Sequence, residues 1–116
     1  MNKHLKLVIN NSQLNENQKY FFEKDELKVI LNLYAKMVSN GYWKDYSLSS
    51  GPKEISFDVY QRASDKPVFR ILKKLKPTKF DEKYLIEDRN GQIIKKSENL
   101  NRLIDKTNWD NLKVIK

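Results

Sequence analysis

Leu27, Ile30, Leu31, Tyr34 and Val38 recur at i, i+3, i+4, i+7 and i+11, which puts them on one stripe of a helix over about residues 24–40. Glu23, Asp25 and Glu26 bring negative charge to the first turn, where the helix dipole favours it. Ser39-Asn40-Gly41 ends the helix, with Gly41 supplying the left-handed residue of a C-cap.

After Gly41 the period changes from helical to alternating. Tyr42 to Leu48 is short and aromatic, and Ser49-Ser50-Gly51-Pro52 is a turn cluster. In Glu54 to Arg62, the residues Ile55, Phe57 and Val59 alternate with Ser56, Asp58 and Tyr60, as in a half-buried strand. Ala63-Ser64-Asp65-Lys66 reads as a tight connection, and Pro67 opens the next strand without losing a ladder bond it needs. Val68 to Leu75 continues that strand with Phe69, Ile71 and Leu75 facing in. Lys76 to Lys83 is a basic loop around Pro77. Tyr84-Leu85-Ile86-Glu87 and Ile93-Ile94-Lys95 then flank a hairpin, in which Asn90-Gly91 is expected to form a two-residue type I′ turn. Ser97 is placed to N-cap a second helix with Leu100, Leu103 and Ile104 on one face.

This order predicts an α+β fold. It is an antiparallel β-meander with one helix before and one after the strands, both packed on one face. Residues 1–19 are polar and asparagine-rich, with only Leu5, Leu7 and Ile9 alternating, and read as a flexible N-terminal arm. Tyr20-Phe21-Phe22 marks the entry to a single domain over residues 20–106. Residues 107–116, with Trp109, Leu112, Val114 and Ile115, form a tail, docked or mobile.

At 116 residues and 39% hydrophobic content there is material for one core, and no disulfide supports it because cysteine is absent. That absence removes thiol catalysis and zinc fingers together. Leu5-Lys6-Leu7-Val8-Ile9 is too short and too interrupted for a signal peptide, and no apolar run approaches the roughly 20 residues that span a bilayer. The expected location is the cytoplasm, with no membrane partner. Lys and Arg number 23 against 15 acids, a net charge of +8 that attracts polyanions or acidic proteins. Arginine occurs only at Arg62, Arg70, Arg89 and Arg102. The excess is lysine, a hydrated point charge that also serves solubility.

Two stretches are distinctive. One is Phe22-Glu23-Lys24-Asp25-Glu26-Leu27 with Ile30-Leu31-Asn32-Leu33-Tyr34 and Gly41-Tyr42-Trp43-Lys44-Asp45-Tyr46. The other is Phe57-Asp58-Val59-Tyr60-Gln61-Arg62-Ala63-Ser64-Asp65 running into Pro67-Val68-Phe69-Arg70-Ile71. On these, and more loosely on Ile94, Leu100 and Leu103, the chain resembles a small alphaproteobacterial family catalogued only as a domain of unknown function. The likeness covers about residues 20–105. Gln61, Ala35 and Lys44 depart from its usual arginine, glycine and arginine, so Arg62 stands without a guanidinium partner at position 61. The resemblance implies one compact α+β domain in a bacterial cytoplasm and supplies no activity.

Little in the sequence points to catalysis. His4 is the only histidine, in the expected arm, and nothing near it resembles a metal site or a triad. Gly41, Gly51 and Gly91 each fit a cap or turn, so no phosphate-cradling loop exists. The acid pairs Asp25/Glu26, Asp81/Glu82 and Glu87/Asp88 fit a helix start, a loop and a hairpin, without a converging nucleophile. We therefore expect no catalytic residue, metal or cofactor. The expected function is a non-enzymatic binding module contacting nucleic acid, most naturally RNA, through Arg70, Lys73, Lys74, Lys76 and Lys79. Lys66, Lys83, Lys95 and Lys96 widen the cluster, whose bland explanation is a solvated face. The alternative is a protein-interaction module, with an acidic protein among the partners, using Trp43, Asp45, Tyr46, Arg62 and Ser64. Its bland explanation is a core tryptophan and a turn held by side-chain hydrogen bonds.

Overall fold

The computed structural model describes residues 21–62, 66–79 and 81–109. The expected arm at 1–19, Ser64 of the 63–66 connection and the tail beyond Trp109 lie outside the described residues.

Helix α1, Lys24–Ser39, begins where the Glu26 carboxylate accepts the Glu23 backbone N–H at 2.7 Å. It ends in a full Schellman motif: Gly41 has φ +84°, its N–H donates to Val38 O, and the Tyr42 N–H donates to Met37 O, each at 2.9 Å. The Trp43 N–H also turns back to Met37 O. Residues 42–43 therefore finish the helix, and strand β1 runs Asp45–Ser50 rather than starting at Tyr42.

Strands β2 (Glu54–Tyr60), β3 (Phe69–Lys74), β4 (Tyr84–Asp88) and β5 (Ile93–Ser97) follow β1 in a five-stranded antiparallel sheet ordered as in the chain. Helix α2, Leu100–Lys106, closes the meander. The expected α+β meander, with one helix on either side of it in sequence, is the observed fold. Register explains the core. Phe57 lies opposite Ile71 and Ile71 opposite Ile86, while Val59 lies opposite Phe69. Ile30, Leu33 and Met37 of α1 and Leu100, Leu103 and Ile104 of α2 join these side chains in one buried cluster.

Three expectations need correction. The first is the phase of α1. Of the expected stripe, Ile30 is buried and Leu27 and Tyr34 pack against the core, but Leu31 and Val38 are exposed at 39% and 38%, whereas Leu33 and Met37 are buried. The inward stripe is Glu26, Ile30, Leu33 and Met37, because the buried ammonium of Lys73 draws Glu26 in. The second is the hairpin. β4 ends at Asp88 and β5 begins at Ile93, the Gly91 N–H donates to Asp88 O at 3.0 Å, and the Asp88 N–H donates to Gln92 O at 2.9 Å. This is a three-residue loop, Arg89-Asn90-Gly91, with Gly91 at φ +81°, not a two-residue I′ turn. The Asp88 carboxylate favours it by accepting the Asn90 and Gln92 N–H groups. The third is the cap of α2. Asn99 accepts the Arg102 N–H at 2.9 Å, and Ser97 instead accepts from the Asn99 N–H.

The start of the tail docks. Trp109 is buried, its indole N–H donates to Ile104 O, and its ring meets Trp43 edge-on at 5.5 Å.

Ile30→Ala is expected to destabilise the domain by about 2–5 kcal/mol and Leu31→Ala by less than about 1 kcal/mol. Paired urea midpoints check this, and equal losses would refute the inward stripe of Ile30, Leu33 and Met37. Gly91→Val is expected to cost about 1–3 kcal/mol, since a β-branched residue resists positive φ. A Cβ at Gly91 meets nothing within 4 Å. An unchanged melting temperature would show that the loop reshapes freely.

Candidate nucleic-acid interface

Antiparallel order gathers the end of β1, the start of β2, the end of β3, the start of β4 and the end of β5 at one end of the sheet. Two connections meet there. The Leu75 N–H, at the start of the β3–β4 loop, donates to Lys53 O in the β1–β2 turn at 3.0 Å. Lys53, Lys76, Lys79 and Lys96 are exposed at this end, and Lys83 lies 5.6 Å over the Tyr84 ring. The β3–β4 loop is shaped by Asp81, which accepts the Thr78 hydroxyl at 2.8 Å and stands 3.7 Å from the Lys74 ammonium. Those Thr78 bonds hold the Asp81 carboxyl below its ordinary value.

The residues expected to bind nucleic acid therefore divide. Lys76 and Lys79 are exposed in the loop, and Lys74 is half-buried beside Asp81. Arg70 lies on the sheet face opposite the helices. Its guanidinium donates to Asp58 at 3.0 Å, to Ser56 at 3.0 Å and to Glu87 at 3.3 Å. Register forces this, since Arg70 stands between Asp58 on β2 and Glu87 on β4. Asp58, 4% exposed, also accepts from Ser49 and Ser56, so the cluster satisfies itself.

Lys73 is not a surface lysine. It is 4% exposed, and its ammonium donates to Glu26 at 2.8 Å and to Phe21 O at 3.2 Å. The Tyr84 hydroxyl donates to the other Glu26 oxygen. Strand alternation carries the signal for this, since a period that turns Phe69 and Ile71 inward turns Lys73 inward too. Burial alone would push the Glu26 carboxyl up, but the hydrogen bonds from Lys73, Tyr84 and the Glu23 N–H outweigh it and hold it below its ordinary value. Burial and the Glu26 carboxylate push the Tyr84 hydroxyl above its own. Lys53 escapes a reading of the sequence, because only pairing of β1 with β2 and β2 with β3 brings its turn to the lysine loop.

The residues expected to serve a protein partner are also dispersed. Trp43 is 2% exposed and packs on Phe69 and Trp109, so no partner reaches it. Tyr46 is half-buried and stacked on Phe57 at 4.7 Å. Asp45 is exposed and accepts the Tyr46 N–H at 2.8 Å. Arg62 is exposed beyond β2, at the same end of the sheet as Asp45. Among the described residues, no group of three or more His, Cys, Asp or Glu could hold a metal ion, and no helix is long and apolar enough to cross a membrane.

A helix, a five-stranded antiparallel meander and a second helix on the same face, with a basic end, define an α+β domain. The chain belongs to the family described as a protein of unknown function, DUF2794, which matches residues 20–104. No curated protein and no solved structure matches it.

Glu26 has a depressed folded-state pKa, so its contribution to stability is present above the unfolded value near 4.5 and is lost as pH falls through the folded one. Unfolding free energy is expected to drop as pH is lowered below about 4.5, and Glu26→Gln should flatten that slope. Lys73→Gln should cost toward the lower end of about 3–5 kcal/mol, since Glu26 keeps some solvent contact. Denaturant titrations across pH check both, and a wild-type slope in Glu26→Gln would exclude this carboxylate as the source.

Proposed function

We propose that this domain is a non-enzymatic, cytoplasmic module that binds the phosphate backbone of nucleic acid, RNA foremost, at its lysine end. The observation that supports it is the Leu75 N–H to Lys53 O bond, which holds two basic connections against each other. Lys53, Lys76, Lys79 and Lys96 then lie exposed, from three separate parts of the chain, along one end of the sheet. Lysine suits contacts that neutralise phosphates without reading bases. Among the described residues no tryptophan platform for stacked bases accompanies them, because Trp43 and Trp109 pack into the core at the other end. Lys73 and Arg70 have no part in this reading, being spent on Glu26 and on Asp58 with Glu87.

Each neutralised phosphate releases condensed counterions, so affinity should fall steeply with salt. Titration of a mixed-sequence RNA and a mixed-sequence DNA at several salt concentrations should show saturable binding at low salt. A Lys53→Gln, Lys76→Gln, Lys79→Gln triple variant should flatten the salt dependence and weaken all sequences alike. Its folding should hardly change, since exposed lysines contribute little to stability. Absence of binding at low salt, or equal binding by the triple variant, would sink the proposal.

A further inference from the structure

The two edges of the sheet are built differently. β5 carries Lys95 and Lys96 exposed, a register shift at Ile86/Glu87, and α2 against it. Those are the ordinary protections of an edge strand. β1, Asp-Tyr-Ser-Leu-Ser-Ser, has no lysine, no proline and no bulge. Its hydrogen-bonding phase follows from the Gly51 N–H donating to Glu54 O. Odd positions pair with β2, so the backbone groups of Tyr46, Leu48 and Ser50 point away from the sheet. The Tyr46 N–H is met by its neighbour Asp45. Those of Leu48 and Ser50 are left facing outward. Leu48 is also 52% exposed, on the side of the sheet covered by α1, whose Leu31 and Val38 are exposed as well. Lys44 precedes this edge, Lys53 follows it, and Lys28 stands one turn before Leu31; all three are exposed.

We infer that the β1 edge is a docking site for an extended acidic segment of another protein, which adds as a sixth strand. Its backbone pairs with Leu48, its apolar side chains cover Leu48 and Leu31, and its carboxylates meet Lys28, Lys44 and Lys53. A second copy of this chain is disfavoured as the occupant because each copy carries a net charge of +8. The site shares Lys53 with the basic end and uses neither of the loop lysines Lys76 and Lys79.

The probe is a fluorescein-labelled peptide of alternating glutamate and valine, with a lysine–valine peptide as control, followed by anisotropy on the full chain. The glutamate peptide should bind saturably and the control at least about tenfold more weakly, as like charges repel. Leu48→Pro removes an outward N–H without breaking a β1–β2 ladder bond, and should abolish binding while far-UV circular dichroism stays unchanged. Hydrogen exchange on the wild-type chain gives a measure independent of that variant, since peptide should protect the Leu48 amide. Equal binding of the two peptides, or no added protection at Leu48, would overturn the proposal. So would self-association in sedimentation that Leu48→Pro removes, with no peptide binding, because a second copy would then be the occupant.

Discussion

A lysine on the inner face of the sheet sets the geometry of this fold. Lys73 follows Phe69 and Ile71 on the side that α1 covers, and an ammonium buried there needs a counter-charge. Glu26, in the first turn of α1, supplies it and is held in turn by the Tyr84 hydroxyl and the Glu23 N–H. One carboxylate therefore joins the start of the helix to the third and fourth strands. Turning Glu26 inward turns Ile30, Leu33 and Met37 inward with it, at the spacing of successive helical turns. Leu31 and Val38 are left outside as a consequence.

The opposite face of the sheet follows a separate logic. Asp58, Arg70 and Glu87 stand side by side on three neighbouring strands, alternating in sign, with Ser56 and Ser49 completing the hydrogen bonds. Leu72 and Leu85 pair beside them and are buried too, outside the core cluster that the helices cover. Strand register is thus fixed twice, by apolar matching on one face and by charge matching on the other. A slip by one residue would put Arg70 against the helices and Ile71 among carboxylates.

Periodicity makes the elements and their order readable, because a helical stripe and alternating strands leave separate marks in a sequence. Ile55, Phe57, Val59, Phe69 and Ile71 are buried as expected, but Ser56 and Asp58 are buried between them, so β2 is covered on both faces and is not the half-buried strand its alternation suggests. What escapes is set by partners distant in sequence. Glu26 reads as a helix-dipole acid until Lys73 is known to be buried, so periodicity alone phases the helix on Leu31 and Val38. Lys73 and Arg70 look like members of a lysine-rich stretch, and only cross-strand register assigns them to Glu26 and Asp58. Trp43 beside Tyr46 resembles an exposed anchor until Trp109, far along the chain, covers it. At the basic end, Lys76 and Lys79 are legible from local charge, whereas Lys53 joins them only through the sheet.

The edge-on packing of Trp109 on Trp43 has a spectroscopic consequence. These are the only two tryptophans in the chain, and both rings sit in one aromatic group with Phe69. Intrinsic fluorescence therefore samples a single spot, where the segment after α2 closes over the junction of α1 and β1. Peeling of that segment would change the emission while the sheet kept its circular dichroism. Events at the basic end, at the far side of the sheet, would pass unseen by the indoles.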